Sequence, residues 1–335
     1  MRFDSIAIEI RQRPCDSSRK DICKTLKPKH DQTHELCFNV SSSEDFKNLL
    51  RGFIVTTRVQ LNALVKNKAT ELNLSPGIVL RMTLFDLFLE KLAQSEYCHQ
   101  FVIKGGFLIA AITQIELRTT KDLDVTIKSL ALNHQVIESV FQHILSIPTI
   151  ANLHMNLIKL ETILEEATYQ GLRATIQVAF DGLVETIKID LTAGDVITPH
   201  EIDFHYQTLI KGKKLHLKSY NVETILSEKL ETILMRAQVN TRMRDFYDVF
   251  ILWSRFQASI QLDMLKKGFI KTSTQRGSLT TIEQNVADIL KMIKTDPQLN
   301  QLWKQYQSAY EFAQQITWKK VLLTVEHIIF NLIFN

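Results

Sequence analysis

The sequence predicts an α+β fold: a mixed sheet with helices, followed by a helical C-terminal region. Three observations predict it. Short β-rich runs interleave with helical stretches in the first two thirds of the chain. After "LIKGKKLHLKSY" the periodicity is helical almost to the end. The 335 residues are 45% hydrophobic and 23% charged, a globular composition with no internal repeat and no low-complexity segment. The expected organisation is an N-terminal extension over 1–58, an α/β core over 59–215 and a mainly helical domain over 216–335.

The elements follow in order. Residues 1–58 have no clear period and read as poorly ordered or partly helical. Ser41 and Glu44 there have capping-box spacing ahead of Phe46, Leu49, Leu50 and Phe53. "VQLNALVKNKATELN" is amphipathic. "SPGIVLRMTLFDLFLEKLAQSE" starts a helix with Ser75 as cap and Pro76 at the first helical position. "FVIKGG" is a short strand that turns at Gly105-Gly106, and "FLIAAI" is the helix behind it. "LDVTIK" alternates as a strand, and "HQVIESVFQHIL" is a helix. "ATIQVAF" and "ETIKIDLT" are strands joined by "DGLV", whose Asp-Gly is a turn signal. The apolar tail "KVLLTVEHIIFNLIFN" is broken by Glu326 and His327 and is too short to span a bilayer. It reads as a packed C-terminal element.

Net charge is only +4, so nothing forces a nucleic-acid partner, although a local basic patch would serve one. Lys211, Lys213, Lys214 and Lys218 form such a run. Cys15, Cys23, Cys37 and Cys98 have no metal-knuckle spacing and read as reduced thiols. The N-terminus lacks the long apolar segment of a signal peptide. These features point to a cytoplasmic protein with no membrane partner.

Asp122 and Asp124 are two residues apart at the start of a strand and so share a face. Two like charges this close favour a cation between them. Asp190, in "TIKIDLTAGD", lies on the polar face of its own strand. If the two strands pair, three carboxylates can converge on Mg²⁺, or Mn²⁺, since oxygen-only ligands suit these ions. The alternative is a solvated strand end. Asp195 follows the strand and reads as a loop residue or cap.

Gly105-Gly106 directly precede a helix and lie sixteen residues before Asp122. Glycines allow close approach of a ligand, and a helix N-terminus suits phosphate. In "NVETILSEKLETILMR", Lys229 falls within the apolar face of Val222, Ile225, Leu226, Leu230, Ile233 and Leu234, while Glu228 and Glu231 point away. A lysine there either snorkels to water or meets an anion such as phosphate. Asp245 and Asp248, one helical turn apart after Arg242 and Arg244, can orient it. There is no HExxH, Gly-x-Ser-x-Gly, P-loop or GxGxxG.

Five blocks, "FVIKGGFLI", "RTTKDLDVTI", "KIDLTAGDVITP", "YNVETILSEKLETILMR" and "NTRMRDFYDVF", occur in this order. Together they resemble the AbiEii/AbiGii family of nucleotidyltransferase toxins, within the DNA polymerase β-like nucleotidyltransferase superfamily, from about Val59 to about Ile328. The resemblance implies a polymerase β-like sheet that binds an NTP at Gly105-Gly106 and holds Mg²⁺ at Asp122, Asp124 and Asp190. It implies that Asp190 helps activate the acceptor, that Lys229 contacts the triphosphate with Asp245 and Asp248 supporting it, and that Arg118 and Thr120 assist the nucleotide. It further implies NMP transfer to an RNA acceptor, such as the tRNA 3′ end, a cognate antitoxin and a role in phage defence. One departure is Phe107 after Gly106, where the superfamily motif has Gly-Ser. Two other functions remain open: a catalytically degenerate module that binds nucleotide or RNA, and a phosphotransferase acting on protein.

Overall fold

A helix that begins at a capped, proline-led turn leads into the sheet. The computed structural model describes residues 57–113, 120–150, 152–165 and 169–333. Residues 1–56 of the N-terminal extension, with the Ser41–Glu44 helix start, and Arg118 lie outside the described residues, while Arg58 already belongs to the first helix. Helix α1 (Arg58–Glu71) is capped by a Thr57–Gln60 capping box. In α2 (Pro76–Gln94) the Ser75 side chain accepts from the Ile78 N–H, with Pro76 at the first position as expected. There follow β1 (Phe101–Ile103), α3 (Gly105–Thr113), β2 (Leu123–Ile127) and α4 (His134–Ser146).

The strands β3 (Leu153–Glu165), β4 (Tyr169–Phe180), β5 (Leu183–Ala193), β6 (Ile202–Gln207) and β7 (Lys214–Ser219) complete one seven-stranded mixed sheet. Its order is β3-β4-β5-β2-β1-β7-β6. β2 runs parallel to β5 and antiparallel to β1, which runs parallel to β7. The β4–β5 turn is Asp181-Gly182, with φ of 45° and 76°, the pattern that Asp-Gly predicts.

Three strands were not evident from periodicity: the sheet edges β3 and β6, and β7, read as a basic run. In β3 a bulge between Leu157 and Lys159 shifts the pairing by one residue and leaves Ile158 exposed. Partly buried positions therefore fall at Leu153 and Leu157 before the bulge and at Leu160 after it, which breaks the alternation. In β6 only Tyr206 is buried. β7 continues through the boundary expected between 215 and 216, and its pairing to β1 joins it to the sheet.

Helices α5 (Val222–Arg236), α6 (Met243–Phe256), α7 (Leu262–Gln275), α8 (Leu279–Thr295), α9 (Pro297–Ala309) and α10 (Trp318–Ile333) form the helical region. α10 buries Val321, Val325, Ile328 and Ile329 against α6 and α7, so the apolar tail is core packing. α3 touches both β2 and α6, and so links sheet to helices. Residues 57–335 form one compact unit. Among the described residues no single helix is long and apolar enough to cross a membrane.

Buried polar groups on α2 are partnered, as interior polarity requires. The Lys91 ammonium donates to the carbonyls of Leu145 (3.1 Å) and Ile147, at the end of α4. Glu90 lies 3.4 Å from both Lys211 and Lys213, and Lys218 pairs with Asp203 at 2.7 Å. Three lysines of the basic run thus hold the β6–β7 hairpin to carboxylates. That differs from an open phosphate-binding patch.

Asp86 accepts from the Tyr206 hydroxyl and the Leu209 N–H, both at 2.6 Å. Burial pushes its carboxyl up to about 7, against these hydrogen bonds, which favour the charged form. Between its ordinary 3.8 and about 7 the folded protein holds a proton that the unfolded chain has released. The contribution of Asp86 to stability therefore falls as pH rises through that window. Asp86→Asn should remove this term. Relative to the variant, the wild type should lose about 1 kcal/mol per pH unit between pH 4 and 7 in urea unfolding. Parallel stability curves for the two proteins would contradict the assignment.

Candidate active site

The aspartates stand on a row that crosses three strands. Asp124 of β2 is in register with Asp190 of β5, and Asp190 with Arg173 of β4. Register partners project to one face, so the row is Arg173, Asp190, Asp124. The two oxygens of Asp190 accept from Arg173 Nε (2.7 Å) and Nη2 (2.6 Å), a bidentate pair. Arg173 Nη2 also lies 3.6 Å from Asp122 Oδ2. Asp190, with Asp122 and Glu161 farther off, holds the Arg173 charge firmly. The hydrogen bond to Asp190 is the largest cause, followed by opposing desolvation and then Coulomb attraction.

The glycine pair is fitted to this row. The Gly106 N–H donates to Asp124 Oδ2 at 3.3 Å, so the start of α3 faces a carboxylate. Gly105 has φ of +65°, and a Cβ there would lie 1.9 Å from Asp124 Oδ2. A Cβ on Gly106 would lie 1.9 Å from Arg244 Nη2 and 3.1 Å from Thr120 Oγ1. Thr120 Oγ1 is buried and has no hydrogen-bond partner among the described residues. Phe107 is fully buried, packed on Phe85 and Tyr206, so the position after the pair belongs to the core. Burial raises the Asp124 carboxyl most. Lys104 opposes the rise, the Asp190 charge adds to it, and the Gly106 N–H and Arg244 oppose it further.

Asp195 is more than the loop residue or cap expected. Its Oδ2 accepts from Lys104 Nζ (2.9 Å), Thr192 (2.6 Å), Tyr220 (3.0 Å) and Thr126. Burial pushes its carboxyl up, but Lys104 and the hydroxyls of Thr126 and Thr192 outweigh that and hold it well below the usual range. Lys104 precedes the glycine pair and is 7% exposed, so this ion pair anchors the turn from beneath.

On α5, Lys229 meets both carboxylates of α6. Its ammonium pairs with Asp245 and lies 3.1 Å from Asp248 Oδ2. Asp245 and Asp248 are buried, unlike an ordinary charged helix start. Burial raises Asp245, but Lys229 outweighs it, with Arg242 and Arg244 adding to the lowering. One expectation is corrected: Glu231 does not point away from the core. It is buried and accepts from Arg276 Nη1 (2.6 Å) and Ser278 Oγ (2.7 Å), because the α7–α8 turn packs over that side of α5.

A cleft of about 1130 Å³ is lined by Lys104, Gly105, Gly106, Asp124, Asp195, Lys229, Arg244 and Asp245, among others. It brings together the glycine pair, Asp124, Lys229 and Asp245. Thr120, Asp122, Asp190 and Asp248 are outside its lining. Among the described residues no three His, Cys, Asp or Glu side chains gather closely enough to hold a metal ion. Asp190 is engaged by Arg173, and Asp124 by the Gly106 N–H. Arg173, Lys104, Asp195 and Arg244 were not read from the sequence as site residues. "KGG" and "TAGD" flagged two of their positions, but not the pairing between them.

Two outcomes follow from this geometry. Gly105→Ala puts a methyl into the Asp124 carboxylate at a positive φ. It should lower activity at least tenfold and destabilise the fold by about 1–3 kcal/mol, measured by turnover and urea unfolding. Wild-type values in both would refute the close approach. Lys229→Met removes the ammonium that Asp245 and Asp248 share and should cost on the order of 3 kcal/mol. The triple change with Asp245→Asn and Asp248→Asn should recover most of that loss, and equal instability of the single and triple variants would contradict the pairing.

The family model described as nucleotidyl transferase AbiEii toxin, type IV TA system, matches residues 87–322, well over half of the chain. No curated relative matches. Among solved structures, a candidate nucleotidyltransferase from H. pylori is 18% identical with a TM-score of 0.43, covering 77% of this chain and 97% of that one. The protein JHP933 from Helicobacter pylori is 17% identical with a TM-score of 0.43, covering 77% and 94%. An antigenic nucleotidyltransferase-like protein from Paracoccidioides brasiliensis is 16% identical with a TM-score of 0.34, covering 60% and 91%. The family match spans the glycine turn, both aspartate strands and the lysine helix. The chain therefore belongs to the AbiEii nucleotidyl transferase toxin family of type IV toxin–antitoxin systems and is a nucleotidyltransferase.

Proposed function

We propose that the cleft transfers a nucleoside monophosphate from an NTP to a hydroxyl of an RNA acceptor, the tRNA 3′ end being the expected one. The observation that carries this reading is the meeting of Gly105, Gly106, Asp124 and Lys229 in one cleft. A cognate antitoxin, a cytoplasmic site of action and a role in phage defence belong to the same reading.

Each residue has a physical role in it. The glycine pair, lacking Cβ atoms, lets a triphosphate come close to the backbone. Thr120 Oγ1, buried and unpartnered beside Gly106, can donate to a phosphate oxygen, supplying the hydroxyl that Phe107 lacks. Arg118 is its expected helper. Lys229, fixed by Asp245 and Asp248, and Arg244 present positive charge to the triphosphate. The acceptor oxygen forms its bond to the α-phosphorus as the bond to pyrophosphate breaks, and the acceptor proton passes to an Asp190 carboxylate oxygen. Arg173 must release that oxygen first, since it occupies both.

Asp122, Asp124 and Asp190 would hold Mg²⁺ or Mn²⁺. The donor chemistry fits once Arg173 withdraws: all are carboxylate oxygens, and Arg173 Nη2 places a cation 2.6 Å from Asp190 and 3.6 Å from Asp122. A bound divalent ion supplies charge neutralisation at the triphosphate and acidifies a hydroxyl.

The test incubates the protein with each α-labelled NTP and total RNA, with Mg²⁺. Wild type should label RNA, and label in protein alone would overturn the acceptor. Asp122→Ala and Asp124→Asn should lose transfer by roughly 100-fold or more while unfolding cooperatively like wild type. Full activity of either variant would overturn the site assignment.

A further inference from the structure

At about 1130 Å³ the cleft exceeds the roughly 300–1,000 Å³ that small-ligand sites occupy. The turn, Asp124 and Lys229 account for one nucleotide's phosphates. A second group of lining residues comes from different elements. Met235 and Val239 lie at and just beyond the end of α5, while Tyr306 lies on α9 and Tyr310 just after it.

This second group puts apolar and aromatic surface into a charged cleft. Val239 is 80% exposed and Met235 43%. The rings of Tyr306 and Tyr310 are half-buried, with centroids 4.7 Å apart. They are held from behind: Tyr310 stacks on Phe312 at 5.3 Å, and Tyr306 on the buried Trp303 at 5.5 Å. Rigid aromatic edges lose little entropy when a planar ligand stacks on them. Arg236 and Arg242 line the same cleft. Aromatic rings beside guanidinium groups are the chemistry that binds single-stranded nucleic acid, with bases stacking and phosphodiesters paired to arginine.

We propose that Tyr306 and Tyr310, with Met235 and Val239, form a nucleobase-stacking subsite for the unpaired end of the acceptor RNA, beside Arg236 and Arg242. The proposal rests on the reading of RNA as acceptor. A base could also come from the NTP, and the test separates the two sources.

Binding of a 5′-fluorescein single-stranded hexaribonucleotide and of a fluorescent mant-NTP is measured by anisotropy, alongside labelling of RNA. Tyr306→Leu with Tyr310→Leu should weaken RNA binding about tenfold for each base unstacked. Tyr306→Phe with Tyr310→Phe should keep wild-type affinity, because the rings remain. Val239→Glu, at a position too exposed to affect folding, should weaken RNA binding by charge repulsion, so the inference stays testable if the leucine variant unfolds. The Kd for mant-NTP should be unchanged throughout. Unchanged RNA affinity in the leucine and glutamate variants overturns the subsite, and so does a loss confined to mant-NTP, which assigns the rings to the incoming base. If wild type labels RNA while these variants bind it normally, the subsite alone fails. If wild type labels only protein, the acceptor reading fails and the subsite with it.

Discussion

The Asp124 carboxylate occupies the space where Gly105 would carry a Cβ. A clearance of 1.9 Å admits no side chain, and a φ of +65° makes the position costly for one. That one contact fixes several things together. The chain must turn immediately after β1, so that the Gly106 N–H reaches Asp124 Oδ2. The Lys104 N–H donates to the Asp124 carbonyl, so turn and strand are joined through backbone and side chain. The parallel pairing of β2 with β5 then sets Asp190 beside Asp124, and β4 sets Arg173 beside Asp190. A one-residue slip in either pairing would move a carboxylate to the other face of the sheet.

The helical region joins the site at the second glycine. Gly106 has no Cβ where the Arg244 guanidinium passes, and Arg244 belongs to the first turn of α6. The same turn holds Asp245, which pairs with Lys229 of α5. So α3, α5 and α6 are tied together through charged groups that are wholly or mostly buried. Such pairs add little net stability when intact, but removing one partner is costly. Their value is positional: they fix the lysine against the sheet in one orientation.

Much of the site was legible because its signals are local. Strand, glycine pair and helix follow one another in "FVIKGGFLI", and alternation in "LDVTI" and "TIKID" gives the faces of the aspartates. Lys229 stood out as a charge on an apolar stripe, and Asp245 and Asp248 as its available partners. What was not legible depends on cross-chain pairing. Arg173 is an ordinary arginine until β4 pairs with β5. Asp195 looks like a loop residue until Lys104, Thr126 and Tyr220 converge on it from three other segments. Glu231 points outward on an isolated helix and inward once the α7–α8 turn covers it. The strands missed in sequence are the two sheet edges, β3 and β6, and the internal β7, whose lysines drew the reading of a basic run. In β3 the bulge at Ile158 breaks the period, and in β6 only one residue is buried, so period-two patterning was absent from both.

On the proposed reading, the charge arrangement lets a chain of net charge +4 serve a polyanionic nucleotide. Five carboxylates of the site face a built-in cation: Asp190 and Asp122 face Arg173, Asp195 faces Lys104, and Asp245 and Asp248 face Lys229. Asp124 is the least compensated. Burial and the neighbouring Asp190 raise its carboxyl, and only Lys104, one N–H and Arg244 at longer range oppose that. In such a site a lone phosphate must compete with fixed carboxylates for Lys229, and a lone divalent cation must compete with Arg173 for Asp190. A nucleotide carrying its own cation brings both signs at once, so each broken ion pair is replaced by another. The desolvation cost of buried charge then changes little on binding. An electrostatically closed site of this kind discriminates against simple anions and cations and in favour of a ligand that carries both.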